Sequence, residues 1–220
     1  LNSVREPLEI AGIGGSKSDR NDRAIAMLER VGINAELASR YPHELSGGQK
    51  QRINIARALI LGPKLLVADE ATAALDVSIQ ADILNLYTDL KRELDLTFVC
   101  ITHDLAVAVH VSRLLAVMYL GKIVEFAPPD KIRHASPHPY TRALLSAEPV
   151  ALPKRLQSDK RIILQGEIPS PISPPSGCRF RTRCPIVQPV CAQEALPLRE
   201  IAPEHTVACH FPLHDEGFNR

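Results

Sequence analysis

The sequence predicts an α/β fold with a largely parallel sheet, followed by a small proline-rich C-terminal unit. Three observations carry that prediction. Leu65–Ala68 and Thr97–Ile101 are short continuous apolar runs, the mark of strands buried on both faces. Segments of helical periodicity stand between and around them, and alternating strands and helices favour parallel pairing. Composition then changes near Pro149, and ten of the 18 prolines lie beyond residue 150.

Taken in order, residues 11–19 form a Gly/Ser turn region. Asn21–Val31 reads as an amphipathic helix with Ile25, Leu28 and Val31 or Ile33 on one face, stopped by Gly32. Residues 34–45 are polar, carry Pro42 and read as a loop. Ser46 and Gln49 stand in the Ser-x-x-Gln relation of a capping box, so a helix is expected from Ser46 to about Leu61, ending at Gly62-Pro63. Ile79, Ile83, Leu86, Leu90 and Leu94 give a second helix over about 78–94. A short helix over Leu105–Val111 and strands at Leu114–Tyr119 and Lys122–Phe126 complete the pattern. The expected organisation is a domain over 1–147, a linker over 148–160 and a C-terminal unit over 161–220, too small for a large core of its own.

Bulk properties narrow the function classes. The net charge of +1 gives no argument for nucleic acid or for attraction to an anionic membrane. The longest uncharged apolar run, Leu114–Leu120, falls far short of the roughly 20 residues that span a bilayer. No charged start followed by an apolar core marks a secretory signal. The expectation is a cytosolic chain that meets a membrane only through a partner. It opens on Leu rather than Met, which suggests a fragment or a processed chain.

Three strings carry candidate chemistry. In Leu45-Ser46-Gly47-Gly48-Gln49, two glycines at a helix start leave backbone N–H groups open to an approaching anion, with the helix dipole and the Ser46 hydroxyl in support. In Leu65–Glu70 an apolar strand delivers Asp69 and Glu70 at its carboxyl end, where open α/β sheets place their sites. Asp69 is suited to hydrated Mg²⁺, and Glu70 to orienting or deprotonating a water. In Thr102-His103-Asp104 the imidazole follows a second apolar strand, placed to sense a terminal phosphate. Alone, each string also has an ordinary structural explanation.

In their order and spacing, together with Ala74-Leu75-Asp76, these strings resemble the nucleotide-binding domain of ABC ATPases over residues 1–147. The resemblance implies that 45–49 is the signature motif. Asp69 and Glu70 would then end the Walker B strand, Asp76 would sit in the D-loop and His103 would be the switch histidine. The same resemblance makes the chain part of a P-loop NTPase fold with a helical signature region. It also leads one to expect a G-x-x-x-x-G-K-[ST] phosphate loop, and the sequence contains no such string. Gly12, Gly14, Gly15, Ser16 and Lys17 have the wrong spacing and no strand before them. The phosphate loop and first strands are therefore expected upstream of Leu1. Ala71 and Ala73 replace the Pro and the Ser or Thr common in the family, with altered loop stiffness as the expected effect.

Beyond residue 136 the resemblance narrows to the ATP-binding subunits of oligopeptide and dipeptide importers, some of whose relatives handle nickel. The strings are His138-Pro139-Tyr140-Thr141, Gly166-Glu167-Ile168-Pro169-Ser170-Pro171, Arg183-Cys184-Pro185 and Ala208-Cys209-His210. This resemblance implies ATP and Mg²⁺ as ligands and a second ATPase subunit facing the signature motif. It also implies permease subunits in the membrane, an indirect link to a substrate-binding protein, and a peripheral place on the cytoplasmic face. Nucleic acid is not an expected partner. The rival readings are a non-transport ABC ATPase, and a non-catalytic half-site or regulatory fragment. Cys178, Cys184, Cys191 and Cys209 are separated by five, six and 17 residues, wider than the usual C-x₂₋₄-C of zinc ribbons. Four irregularly spaced thiolates suit a [4Fe–4S] cluster, with zinc and free or disulfide-paired thiols as the alternatives. Cys100 lies within an apolar strand and reads as a core residue.

Overall fold

A computed structural model of the chain describes residues 1–73, 75–148 and 161–213. Helices α1 (Asn2–Ile10), α2 (Lys17–Arg30) and α3 (Gly47–Leu59) come first, with 3₁₀ turns at Ala35–Ser39 and Pro42–Glu44 between α2 and α3. Strand β1 (Leu65–Asp69), helix α4 (Val77–Leu94), strand β2 (Thr97–Ile101) and helix α5 (Leu105–Val111) follow. After them come β3 (Leu115–Tyr119), β4 (Lys122–Ala127), α6 (Pro129–Ala135), α7 (Pro139–Ala147), α8 (Val190–Gln193), β5 (Arg199–Ala202) and β6 (His205–Val207). The chain divides into two compact units between Val111 and Ser112. Most of the expected linker, residues 149–160, lies outside the described residues, as do 214–220 and Ala74.

In the first unit β1 and β2 pair in parallel, Leu65 against Thr97 through Asp69 against Ile101. The helix between them is the crossover that parallel pairing demands. One face of the pair is closed: Leu66 and Ala68 join Leu28, Ile55, Leu59, Ile83 and Leu90 in a core built from α2, α3 and α4. Ser16 caps α2 by accepting from Asp19 N at 3.1 Å. The Gly12–Lys17 string is thus a turn and a helix cap preceded by a helix, not a phosphate loop on a strand. Arg52 of α3 donates to Val31 O at 2.7 Å and closes the end of α2.

In the second unit all four strands are antiparallel, in the order β3-β4-β6-β5. β3 and β4 are joined through Leu120 and Gly121, both at positive φ, a turn too short for the crossover a parallel pair requires. The parallel part of the sheet is therefore confined, among the described residues, to β1 and β2. Burial alternates along β3, with Leu115, Val117 and Tyr119 inward. Phe180 is fully buried against Tyr119 and Tyr140, at ring-centroid distances of 5.2 and 5.4 Å.

Candidate functional site

The Leu45–Gln49 string folds as its residue types dictate. Ser46 Oγ accepts from Gln49 N at 3.2 Å, and Gln49 Oε1 accepts from Ser46 N at 2.9 Å, the reciprocal capping box expected from the sequence. Gly47 and Gly48 then open α3 with bare backbone. Their small size has a packing reason as well. A Cβ on Gly48 would stand 2.7 Å from Ile79 Cγ2 of α4, and one on Gly47 would stand 3.3 Å from Leu75 Cδ2.

At the end of β1 the chain turns sharply. Glu70 has φ +46°, a left-handed conformation that costs a non-glycine residue about 1–2 kcal/mol. Two backbone hydrogen bonds hold it there: Glu70 N donates to Ile101 O at 2.9 Å, and Ala73 N donates to Glu70 O at 3.1 Å. The strained turn aims the carboxylate at the next strand tip, where Glu70 Oε1 lies 3.2 Å from His103 Nδ1. That pair is open to solvent on both sides, so its contribution to stability is small. His103 is set by its neighbours. Asp104 N donates to Thr102 Oγ1 at 3.0 Å, and Asp104 Oδ1 accepts from Ala106 N at 2.9 Å as α5 begins.

Gly47, Asp69 and Glu70 face one cavity of about 500 Å³ between α3 and β1, together with Lys50, Gln51 and Asn54. Tyr87 closes its far side; burial pushes the Tyr87 phenol up, while its hydrogen bond from Gln51, at 3.4 Å, works the other way. The structure thus brings together the acidic strand end, His103 and Gly47. Ser46, Gly48 and Gln49 serve the cap and the packing of α3, outside the cavity lining. Asp76 sits at the N-terminus of α4, where its side chain makes no capping bond. Within Thr102-His103-Asp104 the sequence reading gave a role only to His103, and it gave none to Gln51 or Asn54. The Thr-x-Asp string ahead of an apolar run was a legible helix-start signal, whereas Gln51 and Asn54 carry no mark apart from their place one turn along α3.

In the second unit the four C-terminal cysteines are free thiols. Burial pushes Cys209 up to about 11, with its neighbours Cys184, Cys178 and Cys191 adding to the rise. Burial likewise raises Cys178 and Cys184, which feel Cys191 and, for Cys184, Cys178. Cys178 N donates to Cys191 O at 2.8 Å, tying two of the set together through the backbone. Yet among the described residues no three His, Cys, Asp or Glu side chains stand in a geometry that holds a metal ion. The expected ligand set is gathered but, among the described residues, not assembled as a metal site.

Comparison with known proteins fits this geometry. The ABC transporter family model matches residues 2–73, and the model for the oligopeptide/dipeptide transporter C-terminal region matches residues 124–191. The oligopeptide transport ATP-binding protein OppF of Salmonella typhimurium is 52% identical over 206 residues, covering 94% of this chain and 61% of its own length. AppF of Bacillus subtilis, also an oligopeptide transport ATP-binding protein, is 50% identical over 192 residues, 87% of this chain and 58% of its own. Among solved structures, the dimeric ATP-binding cassette MJ0796, bound to ADP and Pi in a post-hydrolysis state, aligns with a TM-score of 0.51 and 33% identity. That alignment covers 57% of this chain and 54% of the other. A metal-chelate type ABC transporter in an inward-facing conformation aligns at 0.56 and 27%, over 65% of this chain and 55% of its own. The chain spans roughly three-fifths of the length of the curated relatives it matches. With both regions matched in their expected order and relatives at half identity, the chain belongs to the ATP-binding subunit family of oligopeptide ABC transporters.

Proposed function

We propose that the chain supplies the hydrolytic and signature-bearing part of an ATPase that powers an oligopeptide or dipeptide importer. The observation that carries this reading is the end of β1, where a strained Glu70 is held 3.2 Å from His103 beside Asp69. In this arrangement Asp69 would hold Mg²⁺, which would supply charge stabilisation at the phosphates, Glu70 would orient and deprotonate the attacking water, and His103 would contact the terminal phosphate. Ser46, Gly47, Gly48 and Gln49 present the start of α3 to ATP gripped by a second ATPase subunit, and Asp76 lies at the contact between the two. Residues 1–147 would carry the ATPase part and 161–220 the C-terminal part, although the compact units divide earlier, between Val111 and Ser112, with permeases as the membrane partners and a peripheral, cytoplasmic-face location. A substrate-binding protein is reached only through those permeases.

The test uses the chain alone and a chimera in which it replaces the matching segment of Salmonella OppF. The chain alone is expected to show no Mg-dependent ATP hydrolysis above background, because it contains no G-x-x-x-x-G-K-[ST] string. The chimera should hydrolyse ATP, and Glu70→Gln should lower its kcat by about 100-fold or more. Turnover by the chain alone, or a Glu70→Gln chimera as fast as its parent, refutes the assignment.

The four cysteines support a [4Fe–4S] site by donor chemistry: soft thiols, half-buried and within electrostatic range of one another. Cys178, Cys184, Cys191 and Cys209 would hold the cluster, which when bound supplies a one-electron redox centre. Anaerobic purification should give a brown protein absorbing near ~400 nm from thiolate-to-iron charge transfer. A colourless protein with one equivalent of zinc assigns the site to zinc instead.

A further inference from the structure

The second unit buries a carboxyl side chain that neither the ATPase reading nor the cysteine motif uses. Glu125 lies inside β4 with no exposure, a position at which a carboxylate is stable only with close partners. It has two. His205 Nε2 of β6 stands 2.9 Å from Glu125 Oε1, and Ser136 Oγ donates to Glu125 Oε2 at 2.8 Å. All three side chains are buried. His205 comes from a residue 80 positions later in the chain, so the contact fastens the C-terminal strands to β4.

The rest of that attachment is thin. β6 pairs with β4 only at Glu125 against Val207 and Phe126 against Thr206. Ala208 N adds a bond to Val124 O at 2.9 Å, and Lys131 of α6 donates to Pro203 O in the β5–β6 turn. Cys209 follows, its carbonyl accepting from Arg199 of β5 at 2.9 Å, and beyond it Leu213 N donates to Pro137 O at 2.9 Å. The other three cysteines reach the same hairpin by a separate route. Arg179 donates to Leu120 O at the β3–β4 turn, Phe180 fills the pocket against Tyr119, and Cys178 N is bonded to Cys191 O. The hairpin is thus a frame with two grips, one for the loop of Cys178, Cys184 and Cys191 and one for the strand that ends at Cys209.

We propose that Glu125, with His205 and Ser136, is the positioning device that brings Cys209 to the other three thiols. The inference rests on the four-cysteine reading for its purpose, but its geometry is independent of any metal. The few backbone bonds between β4 and β6 are weak against fraying, while opening a buried carboxyl group away from its hydrogen-bond partners is strongly disfavoured. Replacing the Glu125 carboxyl group should free β6 and Cys209 without releasing the loop held by Phe180.

The test is thiol labelling of the reduced, metal-free 220-residue chain with a small maleimide, with rates read at each cysteine by peptide mass spectrometry. Glu125→Gln should raise the Cys209 rate by about tenfold or more, leaving Cys178, Cys184, Cys191 and Cys100 of the first unit within about twofold. Ser136→Ala, a milder change, should raise Cys209 alone by about threefold, and it decides the matter if Glu125→Gln does not fold. An unchanged Cys209 rate, or a parallel rise at all five cysteines with Ser136→Ala, overturns the proposal. Cobalt(II) titration separates this result from the metal reading. Thiolate-to-cobalt absorption should weaken in Glu125→Gln as one of four ligands is lost. Absence of that absorption in the unaltered chain counts against the four-thiolate site, while the labelling result still decides the positioning role.

Discussion

At the scale of single residues, the same unit holds a buried imidazole whose protonation state the fold dictates. His138 precedes α7 and is almost fully buried, and burial lowers it to about 4. Its Nδ1 accepts from Tyr140 N at 3.2 Å, which requires that nitrogen to be unprotonated and makes the ring the cap of α7. In the unfolded chain the ring takes a proton near its ordinary value of 6.5. The folded value is the lower one, so the unfolded state binds more protons as pH falls. His138 therefore costs nothing above pH about 6.5, destabilises progressively below it, and reaches its full cost near pH 4. The span is on the order of 3 kcal/mol at most, at about 1.4 kcal/mol per pH unit. His138→Asn keeps a capping oxygen without the titration, and its urea midpoint should fall less between pH 7 and pH 4 than that of the unaltered chain. Equal slopes would remove His138 from the acid sensitivity of this unit.

At the scale of elements, what was legible depended on how local the stabilising contact is. The start of α3 was fixed by Ser46 and Gln49, three residues apart, and both capping bonds form as read. Strands β1 and β2 were legible because burial on one side and apolar content throughout leave a continuous run. Helix α1 was missed, since Pro7 lies inside it and removes one donor from the ladder. Helices α6 and α7 begin on Pro129 and Pro139, where proline starts a helix, but Pro139 was read only as part of a family string and Pro129 was not read at all. β5 and β6 left no signal at all. They have four and three residues; β6 pairs with β4, some 80 positions earlier, and β5 pairs with β6. The site followed the same rule. Asp69, Glu70 and His103 stand at strand ends predicted from the runs before them. The contact that joins Glu70 to His103 depends on a left-handed turn at Glu70 that no residue type announced. The gathering of four cysteines on one hairpin is likewise a product of tertiary contacts, Phe180 on one side and Glu125 on the other.

At the scale of the molecule, the first unit is closed on one side and open on the other. Leu66 and Ala68 are buried against α3 and α4, while Leu65, Val67, Val99 and Ile101 on the opposite face are 52%, 55%, 44% and 49% exposed. Parallel strands are ordinarily covered on both faces, and a two-stranded parallel sheet is too small to be stable by itself. The chain also spans only about three-fifths of the length of its curated relatives. An apolar, β-branched face of this kind binds hydrophobic dyes and invites contact between copies when nothing else lies over it. The chain by itself should therefore enhance the fluorescence of an apolar dye such as ANS and self-associate with rising concentration. The double substitution Val67→Thr with Val99→Thr keeps strand propensity while removing apolar surface. It should lower dye fluorescence by roughly half and shift sedimentation toward the monomer, with the far-ultraviolet circular dichroism unchanged. The same substitutions in the OppF chimera should instead cost stability, on the order of 1–2 kcal/mol per site in chemical denaturation, because there the hydroxyls would be buried. Opposite signs in the two settings would show that this face is an interior surface of the whole ATPase; equal effects would show that it faces water in both.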